Sequence, residues 1–332
     1  DTTERQNFVL SGNLVAELET GNIKHTLLYG AEYIDSSSEN DRYTPAAKST
    51  LKISERNAAG TGFNAGGLKS SPLTKLKDDT STDLTVFSLY AQDEIELTDQ
   101  FTVVLGARFD SFDIEVTDNV PGSVKSGSQK DEEFTPRAGI IYKPEENISL
   151  YASYSQTFLP QSGEQFAELY SKQKNTGLDP SEYSNIEAGV KWDVTDTFNV
   201  TAAIFQIEED LVRDDGNTVE TVNNEIEGFE IQVLQRISDQ WVVSAGYTYL
   251  DGEDNINDRR TGELPRSSFS IWNSYQLTEK LGLGLGAIYQ GDSTPKGGSD
   301  TVTVPSFTRV DAAAYYQLSE NLRLQLNIEN LL

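Results

Sequence analysis

Along most of the chain, apolar and polar residues alternate with a period of two. From Phe101, the positions Phe101, Val103, Leu105, Ala107 and Phe109 oppose Thr102, Val104, Gly106, Arg108 and Asp110. Ile148, Leu150, Ala152 and Tyr154 oppose Ser149, Tyr151, Ser153 and Ser155. Leu322, Leu324, Leu326 and Ile328 oppose Arg323, Gln325, Asn327 and Glu329, and Val310 to Gln317 alternates likewise. Successive side chains of a strand point to opposite faces. The pattern therefore predicts strands with one aliphatic and aromatic face and one face of glycine, serine and charge.

A short punctuation recurs between these runs: apolar, Ser or Thr, acid, any residue, large apolar. It reads Leu97-Thr-Asp-Gln-Phe101, Val194-Thr-Asp-Thr-Phe198, Ile237-Ser-Asp-Gln-Trp241, Leu277-Thr-Glu-Lys-Leu281 and Leu318-Ser-Glu-Asn-Leu322. Lys143 to Ile148 and Leu18 to Ile23 are looser versions. Small polar side chains bond the local backbone and favour tight turns, and a turn between two alternating runs is a hairpin. Seven such turns predict seven hairpins, or fourteen antiparallel strands. The other strand ends join through long polar segments, 35–83, 117–132, 159–183, 251–265 and 290–303. Loops of this length are uncommon in compact domains unless they carry function.

Alternation alone does not say whether the apolar face meets a protein core or lipid, so a sandwich or a propeller has to be weighed. Strand length separates the readings. Leu84 to Leu97, Phe101 to Val116 and Phe198 to Val212 run 14 to 16 residues. Globular strands cluster near about 5–6 residues, whereas a membrane-spanning strand needs about 9–11. Aromatic residues stand at both strand ends: Phe101, Phe198 and Trp241 by the turns, Phe109, Tyr154, Tyr249 and Tyr289 by the loops. Short turns on one side, long loops on the other and aromatic girdles between them describe a transmembrane β-barrel. The expected fold is all-β, an antiparallel barrel wall spanning residues 1–332. Its polar face, with Gly106, Gly139, Gly189, Gly246, Gly282, Gly284, Gly286, Glu187, Arg108, Arg137, Lys191 and Arg323, then lines a lumen that needs water or an inserted domain to solvate its charges.

Composition narrows the chemistry. The formal net charge of −27 repels a phosphate backbone and excludes nucleic acid as a partner. Zero Cys removes disulfides and thiolate chemistry, and a single His (His25) removes any multi-histidine metal centre. His25 sits just past a tight turn, where a polar residue is unremarkable and where a hydrolase would need it to meet a serine placed for extracellular or lipid-interface substrates, so no enzyme is expected. No run approaches the roughly 20 apolar residues of a transmembrane helix. With no Met, Asp1 reads as the first residue of a processed or truncated chain.

At several places the residues resemble the TonB-dependent siderophore receptors. These are Tyr90-Ala-Gln-Asp-Glu-Ile-Glu-Leu-Thr-Asp99 followed by Gly106-Ala-Arg-Phe-Asp110, Thr135-Pro-Arg-Ala-Gly139 running into Leu150 to Ser155, and Leu178-Asp-Pro-Ser-Glu182 before Glu187 to Lys191. Gly228-Phe-Glu230, Ala245 to Tyr249, Val310-Asp-Ala312 and Leu326-Asn-Ile-Glu-Asn-Leu331 continue the series in order. The resemblance implies a 22-stranded barrel around an N-terminal plug, of which the fourteen strands here would be the eighth to the twenty-first. It further implies active import of a ferric siderophore across the outer membrane, driven by the inner-membrane protein TonB through a coupling box outside this chain. No cofactor would be bound directly, and iron would travel inside its chelate. Phe158 to Phe166 resembles a loop entry of siderophore-type members, without choosing between catecholate and hydroxamate. A monomeric barrel contacting lipid and lipopolysaccharide is expected. A passive fourteen-stranded porin and an importer of cobalamin or an oligosaccharide are the rivals.

Anionic, partly aromatic chelates suit pockets that combine cations with aromatic faces. Loop candidates for such contacts are Arg42, Tyr43, Phe63, Phe166, Tyr170, Arg213, Arg259 and Arg260; for any one of them the favoured reading is loop charge that keeps the surface wet or bridges lipopolysaccharide through divalent ions. Arg108 and Arg137 are expected to pair with acids of a plug or of adjacent strands, and Lys191 and Arg323 to face the lumen. Asp251 to Asp258 offers oxygen ligands, but without the spacing of a dedicated Ca²⁺ loop.

Overall fold

The computed structural model describes residues 2–45, 73–122, 126–161, 179–214, 219–255, 259–295 and 302–332. It contains β1 (Thr2–Thr20), β2 (Ile23–Pro45), β3 (Leu73–Glu96), β4 (Phe101–Asp118), β5 (Gly127–Glu145), β6 (Ile148–Leu159), β7 (Ser181–Thr195) and β8 (Phe198–Asp214). There follow β9 (Val219–Ser238), β10 (Trp241–Asp254), β11 (Arg259–Arg260), β12 (Ser267–Gln276), β13 (Leu281–Gln290), β14 (Phe307–Ser319) and β15 (Leu322–Ile328). Fourteen of these form one antiparallel ladder in chain order, and the two-residue β11 folds back on β10. The edges of the ladder are β1 and β15.

The recurrent punctuation is explained by hydrogen bonds. Thr98 Oγ1 accepts from the backbone N–H groups of Gln100 and Phe101 at 3.2 and 3.0 Å. Thr278 Oγ1 does the same for Lys280 and Leu281 at 3.3 and 3.0 Å. Ser238 and Thr195 each accept from the N–H two residues on. The hydroxyl thus satisfies donors that the end of the ladder would orphan. At the β1–β2 turn Gly21 instead adopts φ 67°, a conformation open to glycine at little cost.

The loop ends differ from expectation. The segment 35–83, read as loop, is strand at both ends: β2 runs to Pro45 and β3 begins at Leu73, with Ser37 opposite Asp83 and Asn40 opposite Thr80. Likewise β4 and β5 extend into the segment 117–132. These extensions keep the hydrogen-bond ladder but have no apolar face on the outward side, so no hydrophobic alternation betrays them.

Register fixes which residues share a face. Gly106, Arg108 and Asp110 of β4 lie opposite Arg137, Thr135 and Glu133 of β5, and the expected luminal glycines and charges fall on one face throughout. The other face carries exposed Leu105, Ile140, Ile186, Ile204, Leu285 and Leu326. Stacked Phe101 and Tyr142, 4.4 Å apart, mark its turn end. Phe229 with Tyr247 and Tyr249, at 5.7 and 5.8 Å, marks the loop end.

Candidate functional site

Several large side chains of the luminal face rest on glycine. A Cβ on Gly286 would lie 2.3 Å from Trp272 Cε3 and 2.7 Å from the Ile271 carbonyl oxygen, and one on Gly284 would lie 2.3 Å from Trp272 Cζ2. The glycine run of β13 is therefore the bed of the β12 indole. Gly189 makes the same room for Tyr151, and Gly30 for Tyr90. Read from sequence, these glycines marked a wet face; the structure shows that they also seat aromatic rings from the neighbouring strand.

Cations are placed against these rings and against acids. Arg108 donates from Nη2 to Glu32 Oε1 at 2.9 Å and to Ser88 Oγ at 2.6 Å, and from Nε to both oxygens of Asp110 at 2.8 and 2.9 Å. Its guanidinium stands 5.3 Å from the Tyr90 ring centre. Asp110 and Ser88 are buried, so Arg108 supplies the countercharge that an ionised Asp110 requires. The sequence places Arg108 against acids of a plug or of adjacent strands; the acids it meets in the structure are instead Asp110 of its own strand and Glu32 of β2, which lies beyond its neighbour β3. Arg137 packs beside Gly106 and lines a recess of about 430 Å³ with Gln92, Tyr151, Ser153, Glu187 and Lys191. Lys191 lies 5.8 Å from the Tyr151 ring centre, while the Tyr151 hydroxyl donates to Glu187 at 2.5 Å. Arg323 sits 4.6 Å from Tyr315. His25 turns the other way: with Asp93, at 2.8 Å, it forms a polar pair on the outward face.

Towards the loops the two faces exchange character, which the sequence reading had missed. On β4 the luminal parity passes from Gly106, Arg108 and Asp110 to Phe112, Ile114 and Val116, of which Ile114 is 1% and Val116 0% exposed. Phe112 meets Phe158 edge-on at 5.0 Å, and Val86 is buried beside them. The outward parity turns polar at the same level, with Ser111, Asp113 and Glu115. On β8 to β10, Glu208, Glu225, Glu227, Asp251 and Glu253 face outward while Val222 is fully buried. The signal was present in the alternation, which inverts after Asp110. Burial pushes the carboxyl groups of Asp131 and Glu133, at this mouth, above the ordinary carboxylate range, and Asp179 adds to both. Burial and Glu209 raise the Tyr183 hydroxyl.

The candidate contact residues lie in several places. Arg42 and Tyr43 are on β2 rather than in a loop, opposite Asp78 and Leu76. Arg213 is on β8 opposite Glu220, again strand rather than loop. Phe63, Phe166 and Tyr170 lie outside the described residues. Arg259 and Arg260 form β11, a strand fragment in place of the expected loop, and line one cavity of about 520 Å³ with Arg266, Glu225, Glu227 and Asp251. Arg259 bonds Asp254 at 3.3 Å, Arg260 bonds Asp292 at 3.1 Å, and Arg266 lies 3.4 Å from Asp251.

A continuous antiparallel ladder with an apolar outward band, aromatic rims and a polar inner wall is the architecture of an outer-membrane barrel. The chain belongs to the TonB dependent receptor-like β-barrel family, which it matches over residues 1–331. Among proteins it resembles is the "Probable TonB-dependent siderophore receptor PiuA" of Acinetobacter baumannii, 31% identical over 99% of this chain and 49% of that protein. The catecholate siderophore receptor Fiu of Escherichia coli K12 is 28% identical over 100% of this chain and 48% of its own length. The crystal structure of the siderophore receptor PiuA superimposes with a TM-score of 0.80 at 28% identity, covering 99% of this chain and 52% of that one. The chain thus spans about half the length of the curated relatives it matches.

Proposed function

We propose that the protein carrying this chain is an outer-membrane receptor that imports a ferric siderophore by TonB-coupled active transport. The observation that supports it best is the 31% identity to the siderophore receptor PiuA along 99% of the chain. The physics agrees with that reading. Unpaired ladder groups cannot face hydrocarbon, so the edges β1 and β15 need further strands to close a barrel, which the longer relatives have length to supply. The inner wall is wet and charged, and its cations already rest on acids and aromatic rings, as suits a channel that is filled by a plug and traversed by an anionic chelate. In this reading residues 1–332 are barrel wall, the plug and coupling box belong to the rest of the protein, and iron meets chelate oxygens rather than protein ligands. Arg42, Tyr43, Arg259 and Arg260 remain candidates for chelate contact at the mouth.

Uptake of radiolabelled iron under iron starvation tests this. Cells with and without the gene are offered a ferric catecholate, a ferric hydroxamate and cobalamin, with and without a protonophore. Loss of ferric-chelate uptake in the deletion, and its abolition by the protonophore, is expected. Undiminished iron uptake with loss of cobalamin uptake would replace the cargo, and uptake indifferent to the protonophore would replace active import with a passive pore.

A further inference from the structure

At the outer mouth, the connection that follows β10 is itself built. Its residues 259–266 carry the fragment β11, with Arg260 opposite Glu253 and Arg259 opposite Asp254. Gly252 has the same inward parity on β10 as Gly246 and Leu250. A Cβ there would lie 2.5 Å from Leu264 Cδ2 and 3.1 Å from Thr261 Cβ. The connection therefore leans over the luminal side of the β10 tip and needs glycine beneath it. Glu263 adopts φ 62°, a left-handed conformation uncommon outside glycine that persists only where the surroundings enforce it.

Those surroundings come from the connection that follows β13. The Glu263 N–H donates to the Thr294 carbonyl oxygen at 2.8 Å, and Thr294 Oγ1 donates to the Thr261 carbonyl oxygen at 3.3 Å. Ser293 and Val304 exchange backbone bonds at 3.1 and 2.7 Å, which closes this second connection on itself. Arg260 spans the two. It donates from Nη1 to Asp292 Oδ2 at 3.1 Å, and from Nη2 to the carbonyl oxygens of Asp292 and Leu264 at 2.9 and 3.0 Å. Its side chain is 15% exposed, and Ser293 and Thr294 are buried. One guanidinium thus satisfies acceptors from two segments, and bonds to a charged donor are the stronger kind.

We propose that residues 259–266 and 291–294 form one fixed shoulder on the luminal side of the mouth, latched by Arg260, which holds its place while cargo enters. Moving parts of a protein are drawn from its least stable regions, where few groups are buried and backbone bonds are open to water. The shoulder has the opposite character: its cross-bonds are made by buried or nearly buried groups, and its backbone is bent into a form that only those bonds hold. Entry is therefore controlled elsewhere on the rim. The proposal rests on the import reading for the passage of cargo, but the latch itself can be examined without any cargo.

Hydrogen–deuterium exchange of the purified full-length protein tests the latch, and heat-modifiable gel mobility checks that each variant is folded. Arg260→Gln should speed exchange of the Thr261 and Glu263 amides and of residues 292–294 by about tenfold. Residues 112–116, at the mouth on another part of the sheet, should exchange as in wild type. Glu263→Gly should stay protected, because glycine adopts the same φ at little cost. Uptake of a ferric catecholate then tests whether the shoulder stays still. This chain has no Cys of its own, so Thr261→Cys/Thr294→Cys can be joined by oxidation and parted by reductant, with thiol labelling reading the state. Uptake should be the same in both states. Unchanged exchange in folded Arg260→Gln would remove the latch, and uptake lost on oxidation and regained on reduction would show that the two segments must part. Uptake missing from wild type as well would count against the import reading alone, and the exchange comparison would still decide the latch.

Discussion

The membrane half and the projecting half of a single strand use their two faces in opposite ways. Between Phe101 and Phe109, β4 turns Val103, Leu105 and Ala107 outward and Gly106 and Arg108 inward; beyond Asp110 it turns Ser111, Asp113 and Glu115 outward and Phe112, Ile114 and Val116 inward. Nothing in the backbone changes, since the register to β3 and β5 is uninterrupted across the switch. The solvent outside changes. Hydrocarbon rewards an apolar outward face, and water rewards a polar one and drives the apolar side chains inward. A β-barrel thus records the position of its membrane boundary in the phase of its alternation.

The largest effects expected come from substitutions that ignore that phase. Leu105 lies midway between the two rims and is 49% exposed. Leu105→Lys in the full-length protein should cost about 2–4 kcal/mol of folding stability in lipid. Glu115→Lys, on the same face but above the boundary, should change it by less than about 0.5 kcal/mol. The inner face should reverse the order: Ile114→Ala, at a position 1% exposed, should cost about 2–4 kcal/mol. Denaturant titrations of refolding into phospholipid vesicles would check all three. Equal costs for Leu105→Lys and Glu115→Lys would break the comparison.

A smaller effect separates the faces within the membrane half. Leu285 and Gly286 are neighbours on β13 that point to lipid and to Trp272. Leu285→Val should be nearly silent, because lipid repacks around either side chain. Gly286→Val must displace the indole and press on the Ile271 carbonyl, which overpacking data place at about 1–3 kcal/mol. The same vesicle titration reads this, together with the tryptophan emission maximum, which should shift only for Gly286→Val.

These contrasts also show what could be read from the residues alone. Hairpin number, strand order and the outward band were legible because Thr98, Thr278 and their equivalents stop the chain with a hydroxyl, and because period two is strict between the rims. The projecting strands were not, since Ser36 to Asn40 and Thr80 to Asp83 are polar on both faces and look like loop. The partners of Arg108 were not, because Glu32 lies 76 residues away and only register brings it near. The luminal apolar cluster was within reach, since Phe112, Ile114 and Val116 break the parity that Phe101 sets. The arginine cavity depends on β11 folding back upon β10, which no local pattern announces.

The smallest effect concerns charge in the projecting half. Asp131 faces inward there, opposite Phe112, and accepts from Gln129 Nε2 at 2.7 and 2.9 Å. Burial raises its carboxyl group above the ordinary range and Asp179 adds to this, while the Gln129 bond opposes them. A carboxyl raised on folding holds its proton more tightly in the folded state than in the unfolded state. Folding stability therefore falls as pH rises from the ordinary carboxylate value through the raised one, and the full cost persists at neutral pH. Asp131→Asn keeps an acceptor for Gln129 and removes that cost. The variant should be more stable than wild type at pH 8, by an amount that shrinks towards pH 4, and Glu133, raised in the same way, should leave part of the wild-type slope in place. Thermal unfolding of the full-length protein across that range measures the gap. A gap that widens on acidification would mean that Asp131 is stabilised as an anion, and that the mouth is wetter than its apolar lining indicates.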